Sequence, residues 1–254
     1  MKLSFTLGPL LILFTFSTFA QEVGRMETDR PDQTECPYIV KKGFMQVEMG
    51  FNKNHELDEL NYVIPTTLWK YGLSKSIELR YVSNVLFATN LSFQHDAIGF
   101  KVRVFEPSKF LPKTSLIVHY NLRDDKRDLS DKNLLPHSYG QTILTLQHGL
   151  YKELGMGYNF GCEYHDNGYV EGIYRISPGI NVGTKWYAYT EVFGRFPSTK
   201  VTDHWFDGGI AYYISDHSKL DVSAGKSFST NSDWYLALGF SFRVNLFHRS
   251  NRKS

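Results

Sequence analysis

From Gly43 to Val244 the chain is built of runs in which apolar side chains alternate one by one with small or polar ones. No other feature constrains the fold as tightly, because a two-residue period belongs to a β-strand whose two faces meet different surroundings. In Leu154–Tyr164, the residues Leu154, Met156, Tyr158, Phe160, Cys162 and Tyr164 share one face. Gly155, Gly157, Asn159, Gly161 and Glu163 share the other. The same alternation places Ile98, Phe100, Val102 and Val104 opposite Gly99, Lys101 and Arg103, and Leu236, Leu238, Phe240 and Phe242 opposite Ala237, Gly239, Ser241 and Arg243.

Twelve strands are expected, over 43–53, 60–72, 76–84, 96–106, 113–121, 138–148, 153–164, 169–180, 185–195, 205–214, 219–226 and 234–244. Pro65 interrupts the second, and either face of the fifth reads as apolar. Tight turns near Leu73–Lys75, Gly149–Lys152, Asn181–Thr184 and Ser215–Ser218 alternate with longer polar connections, the longest being Leu122–His137. Strands that cross a bilayer at a tilt need about 9–11 residues, whereas strands of soluble sandwiches average about 5–6. An even number of long strands, with short turns on one rim and long loops on the other, describes an all-β, antiparallel outer-membrane barrel.

The amino terminus agrees. Met1–Lys2 is a short positive start, Leu3–Phe19 is apolar, and Thr18-Phe19-Ala20 offers small residues for cleavage, so 1–20 reads as a signal peptide. No later apolar run is long enough for a spanning helix. Residues 21–42 form a segment ahead of the barrel, 43–244 the barrel, and 245–254 a polar tail with Arg249, Arg252 and Lys253. With 28 Lys+Arg against 26 Asp+Glu there is no basic stripe for nucleic acid. The expected surroundings are outer-membrane lipid, reached through the barrel-assembly machinery.

Alternation parity assigns the greasy faces to lipid and the polar faces to the lumen. Inward positions then include Glu48, Glu78, Arg80, Lys101, Arg103, Glu163, Glu171, Arg175, Glu191, Asp221 and Arg243, together with the aromatics Tyr187, Tyr189, Phe193 and Tyr213. This mixed-sign set reads either as a polar permeation pathway or as mutual ion pairs that fill the barrel, since enclosed charges need partners. The segment before the barrel has no apolar periodicity but carries Asp29, Arg30, Asp32 and Glu35, with Pro31 stiffening it. It reads either as a plug whose charges pair with the lumen, Arg30 meeting a carboxylate such as Glu78 or Glu191, or as a loose periplasmic tail.

Three constellations invite chemistry and have plainer readings. His165-Asp166-Asn167-Gly168 has a histidine but an aspartate where a serine nucleophile would stand, and Asn-Gly is a hairpin signal. His55, Asp58 and Glu59 share a loop and read as solvated charge. Cys36 and Cys162 are two thiols for an oxidising compartment, with Cys162 facing outward by parity. No cofactor is called for: no phosphate-binding loop, CxxC pair or nucleotide fingerprint occurs.

Thr28-Asp29-Arg30-Pro31-Asp32-Gln33-Thr34-Glu35 resembles the opening of the bacterial outer-membrane family named for the meta-pathway of phenol degradation, whose members are often called transporters. Tyr71–Arg80, Tyr187–Glu191, Asp207–Tyr212, Leu220–Gly225 and Gly239–Arg243 are similar to later hairpins of that family. The resemblance implies a barrel with a transport role and brings no catalytic residues. The function expected is thus a porin-like channel or facilitator for small, hydrophobic or aromatic molecules. A sealed barrel acting as a scaffold or binding partners through its loops is the alternative, and a lipid-modifying enzyme a distant one.

Overall fold

The computed structural model describes residues 24–56, 59–88, 91–108, 111–122, 138–165, 168–196, 204–228 and 232–247. The expected signal peptide, the 123–137 part of the long loop, Asp58, Asp166, Asn167 and the 248–254 part of the tail lie outside them. Twelve strands form: β1 (Phe44–Glu56), β2 (Glu59–Gly72), β3 (Ile77–Ala88), β4 (Leu91–Phe105), β5 (Lys113–Asn121), β6 (Ser138–Tyr151), β7 (Leu154–His165), β8 (Val170–Val182), β9 (Trp186–Phe196), β10 (His204–Ser215), β11 (Ser218–Ser227) and β12 (Trp234–Asn245). Each pairs antiparallel with its chain neighbour, and β1 closes on β12, so the sheet is a complete barrel. Closure removes every edge, the condition for keeping a sheet in hydrocarbon, where a free backbone N–H has no partner.

The strand bounds fall within one residue of the sequence-derived ones at most tight-turn ends and extend furthest beyond them at the long-loop ends of β1, β3 and β4, where hydrogen-bonded pairing continues past the alternating stretch. Pro65 is accommodated at a shift in register between Val63 and Thr66, where a residue without an N–H interrupts no ladder. The tight turns rely on local backbone geometry: Gly183 takes φ +62°, and Lys152 enters the same left-handed region at +45°.

The outer surface carries Phe51, Ile98, Phe100, Phe160, Val182, Phe206, Ile210 and Leu238, each about half exposed. A continuous band of this kind suits lipid rather than water. The inner face is the buried one, and it is polar: Gln46, Glu48, Lys70, Glu78, Arg80, Lys101, Ser115, Asn159, Glu191, Asp207, Lys219 and Ser241 are each at most 3 % exposed. Side chains just fill an eight-stranded barrel and leave room in a twelve-stranded one. Here residues 24–42 occupy part of that room.

Candidate functional site

The N-terminal segment starts at the tight-turn rim. Arg243 Nη2 donates to the Gly24 carbonyl (2.8 Å), the Met26 N–H to Asp216 O (3.0 Å), and Arg25 Nη2 to Asn181 Oδ1 (2.5 Å). It climbs to mid-barrel, where Arg30 lies against Gly50 and Gly239, the midpoints of β1 and β12. A Cβ at either glycine would strike the Arg30 side chain. It then returns to the same rim. Ser115 Oγ donates to Pro37 O (2.7 Å), the Val40 N–H donates to Glu78 Oε2 (2.8 Å), and the Phe44 N–H closes the turn onto Lys41 O (3.0 Å).

Asp29 is the centre of the attachment. Its carboxylate takes Lys70 Nζ at 2.9 Å, Arg80 Nη1 at 3.0 Å, Lys101 Nζ at 3.3 Å and the Cys36 N–H at 2.9 Å. The cations have further partners: Lys70 pairs with Glu48, and Arg80 with Glu35 (2.6 Å) and Glu78 (3.1 Å). Glu48 in turn accepts the backbone N–H groups of Asp29 (3.0 Å) and Arg30 (3.1 Å). Burial pushes the Asp29 carboxyl up, but Lys101, Lys70 and Arg80 outweigh it and hold the group well below the usual range. Glu35 is likewise held low, Arg80 prevailing over burial. Charges enclosed this fully stabilise an arrangement only when every member is paired, which fixes the register of the segment against β1–β4.

The opposite wall holds the tip. Glu191 accepts the Gln33 N–H (2.7 Å) and the Thr34 hydroxyl, and Tyr189 donates its hydroxyl to Pro31 O (3.1 Å). Asn159 imitates a strand edge, accepting the Glu35 N–H (2.7 Å) and donating to Glu35 O (2.9 Å). Arg30 Nη2 meets Asp221 Oδ1 at 3.1 Å and Leu238 O at 3.2 Å, and Lys219 donates to the Arg30 carbonyl. Asp32 differs from Asp29. Among the described residues the wall gives it a long hydrogen bond from Ser177 Oγ (3.4 Å), and burial together with the Glu191 carboxylate pushes it well above the usual range.

All eleven lumen positions from the sequence face inward, but they serve different places. Glu48, Glu78, Arg80 and Lys101 gather around Asp29 and Glu35, Asp221 takes Arg30, and Glu191 takes Gln33 and Thr34. The remainder sit apart from this network. Arg103 pairs with Glu106, while Glu163 meets Arg195 (2.9 Å), as does Glu171 (3.4 Å). Arg243 anchors Gly24 at the rim, and Arg175 is half-buried on β8.

One pairing requires correction. Arg30 meets Asp221 rather than Glu78 or Glu191, because those two carboxylates are taken by backbone N–H groups of the same segment. Lys70, His119, Asp207 and Lys219 escaped the sequence reading. Pro65 obscures the parity of β2, the fifth strand has two plausible faces, and Lys219 sits at a strand start. The register Gln46↔Lys70 and the pair Arg80 Nε–His119 Nε2 (3.0 Å) depend on neighbouring strands.

The three sequence constellations resolve simply. Gly168 closes a turn, its N–H donating to His165 O (3.0 Å). His55 stacks on Trp234 and contacts Ser232 O at 2.8 Å. Among the described residues no group of three or more His, Cys, Asp or Glu is placed to hold a metal. Cys36 and Cys162 are both free thiols.

A closed twelve-stranded antiparallel barrel with an apolar belt and a polar interior defines an outer-membrane β-barrel of porin type. The chain belongs to the family described as "Putative MetA-pathway of phenol degradation", whose model matches residues 28–244. Among solved structures it is similar to the KdgM porin (10% identity, TM-score 0.55, covering 78% of this chain and 98% of that one). It is also similar to an outer membrane channel from Pseudomonas putida F1 (9%, 0.55, 86% and 100%) and to the NanC porin (8%, 0.52, 79% and 100%). Identities this low speak for the shared fold. None of the curated proteins matches the chain.

Proposed function

We propose that this protein is an outer-membrane channel for small molecules, exported by residues 1–20 and partly closed at its tight-turn mouth by a fixed plug, Gly24–Lys42. The observation that carries the reading is the match between a barrel too wide for its own side chains to fill and an internal segment tied to both walls. The similar structures are two porins and an outer membrane channel, which supports the same reading. So does the family match. The chain's work is passage, with no chemical step. Ion pairs that consume Glu48, Glu78, Arg80 and Lys101 remove these side chains from any open path, so they serve attachment and not selectivity.

Planar-bilayer conductance of the full chain and of a variant lacking residues 21–37 tests the reading. The full chain should conduct, and the shortened one should assemble and conduct more. Absence of conductance in both would favour the sealed-scaffold alternative, to which the dense internal pairing also lends itself.

A further inference from the structure

The plug does not fill the tight-turn half of the barrel evenly. It is tied to β1–β5 on one side and to β9, β11 and β12 on another; among the described residues β7 and β8 hold it only at Asn159, Ser177 and Asn181, and a cavity of about 150 Å³ remains between these contacts. The lining includes the rim residues Arg25, Glu153 and Asn181 as well as Arg30 and Asp32 at the tip. Its wall side has a patch with little or no side chain, Gly155 and Gly157 on β7 and Ser177 and Gly179 on β8, flanked by larger residues such as Gln147 and Tyr187. These residues pair across the two strands, Gly155 with Gly179 and Gly157 with Ser177, so the bare patch is continuous.

The glycines are not equivalent. A Cβ at Gly157 would press on Thr34 of the plug (3.1 Å), and one at Gly179 would strike the Tyr187 ring. At Gly155 the nearest atoms would be His148 O at 3.5 Å and Gln147 Nε2 at 3.8 Å, ordinary contact distances. Neither packing nor backbone geometry demands a glycine there. What its absent side chain leaves is open space beside the plug.

We propose that this gap along β7–β8 is the conducting route of the plugged channel, a bypass that admits small neutral solutes without release of the plug. The inference rests on the channel reading above. Its size is that of a cavity known to hold one six-membered ring. Its lining carries both signs, Arg25 and Lys219 against Glu27 and Asp32, which disfavours selection for either charge, while Tyr187 and Ser177 offer hydroxyl groups.

The test is swelling of liposomes containing the full chain, with glycerol, arabinose and sucrose as probes. Wild type should pass glycerol and arabinose and retard sucrose. Gly155→Trp should assemble, judged by heat-dependent gel mobility, and lose arabinose passage several-fold. If the tryptophan variant does not assemble, Gly155→Cys with Cys36→Ser and Cys162→Ser takes its place, measured before and after blocking with a neutral maleimide. Blocking should slow arabinose several-fold in the same preparation. A variant that passes arabinose at the wild-type rate, or a blocked thiol without effect, overturns the bypass and leaves the channel reading intact. A wild-type protein that passes none of the solutes overturns both.

Discussion

Asp29→Asn tests the attachment of the plug most directly. The change keeps the shape of the side chain and removes one charge facing Lys70, Arg80 and Lys101. Removing one member of a buried ion pair costs about 3–5 kcal/mol. Each cation here keeps another carboxylate: Glu48 for Lys70, Glu35 and Glu78 for Arg80, Glu78 for Lys101. The lower end, about 3 kcal/mol, therefore applies. At 1.4 kcal/mol per tenfold, that raises the undocked fraction roughly 100-fold. Cys36 reports it, because its N–H is bonded to Asp29, and burial pushes its thiol up and away from the reactive thiolate. In a Cys162→Ser background, the rate of maleimide labelling at Cys36 should follow the undocked population. A change smaller than about threefold, in a variant that still shows a folded barrel by heat-dependent mobility, would refute the claim that Asp29 holds the plug.

Asp32 should act in the opposite sense. Its carboxyl is raised when docked, so docking is strongest in acid and weakens as pH climbs from the ordinary aspartate range near about 4 toward the raised value. Bilayer conductance should therefore rise with pH across that window, and Asp32→Asn should lower and flatten the curve; an unchanged profile would contradict it. Gly239→Ala should force Asp221 and Arg30 apart at a cost of about 1–3 kcal/mol, seen as faster Cys36 labelling in an intact barrel. On the outer face, Phe160→Arg should cost about 2–4 kcal/mol near mid-depth and impair assembly into membranes, whereas Ser241→Ala on the inner face should assemble normally.

Much of the architecture was legible in the chain because strand alternation and turn chemistry are local. Leu154–Tyr164 announces its two faces within eleven residues, and the tight turns announce the rim to which the termini belong. Strand number, the lipid-facing belt and the inward parity of residues such as Glu78 and Lys101 follow from that local period alone. Where the local signal is blurred, by Pro65 in β2 or by the doubly apolar β5, inward residues such as Lys70 and His119 stayed hidden. Tertiary structure alone decided which charges meet. Arg30 reaches Asp221, 191 residues away, because closing β1 on β12 brings Gly50 opposite Gly239 and opens room for a guanidinium between them. Asp29 collects cations from β2, β3 and β4 because register sets Lys70 opposite Arg80 and puts Lys101 opposite Glu78, one inward position further along the same face. Parity says which side of the sheet a residue faces. Register and closure set its height and its neighbour across the lumen, and these are properties of twelve strands together.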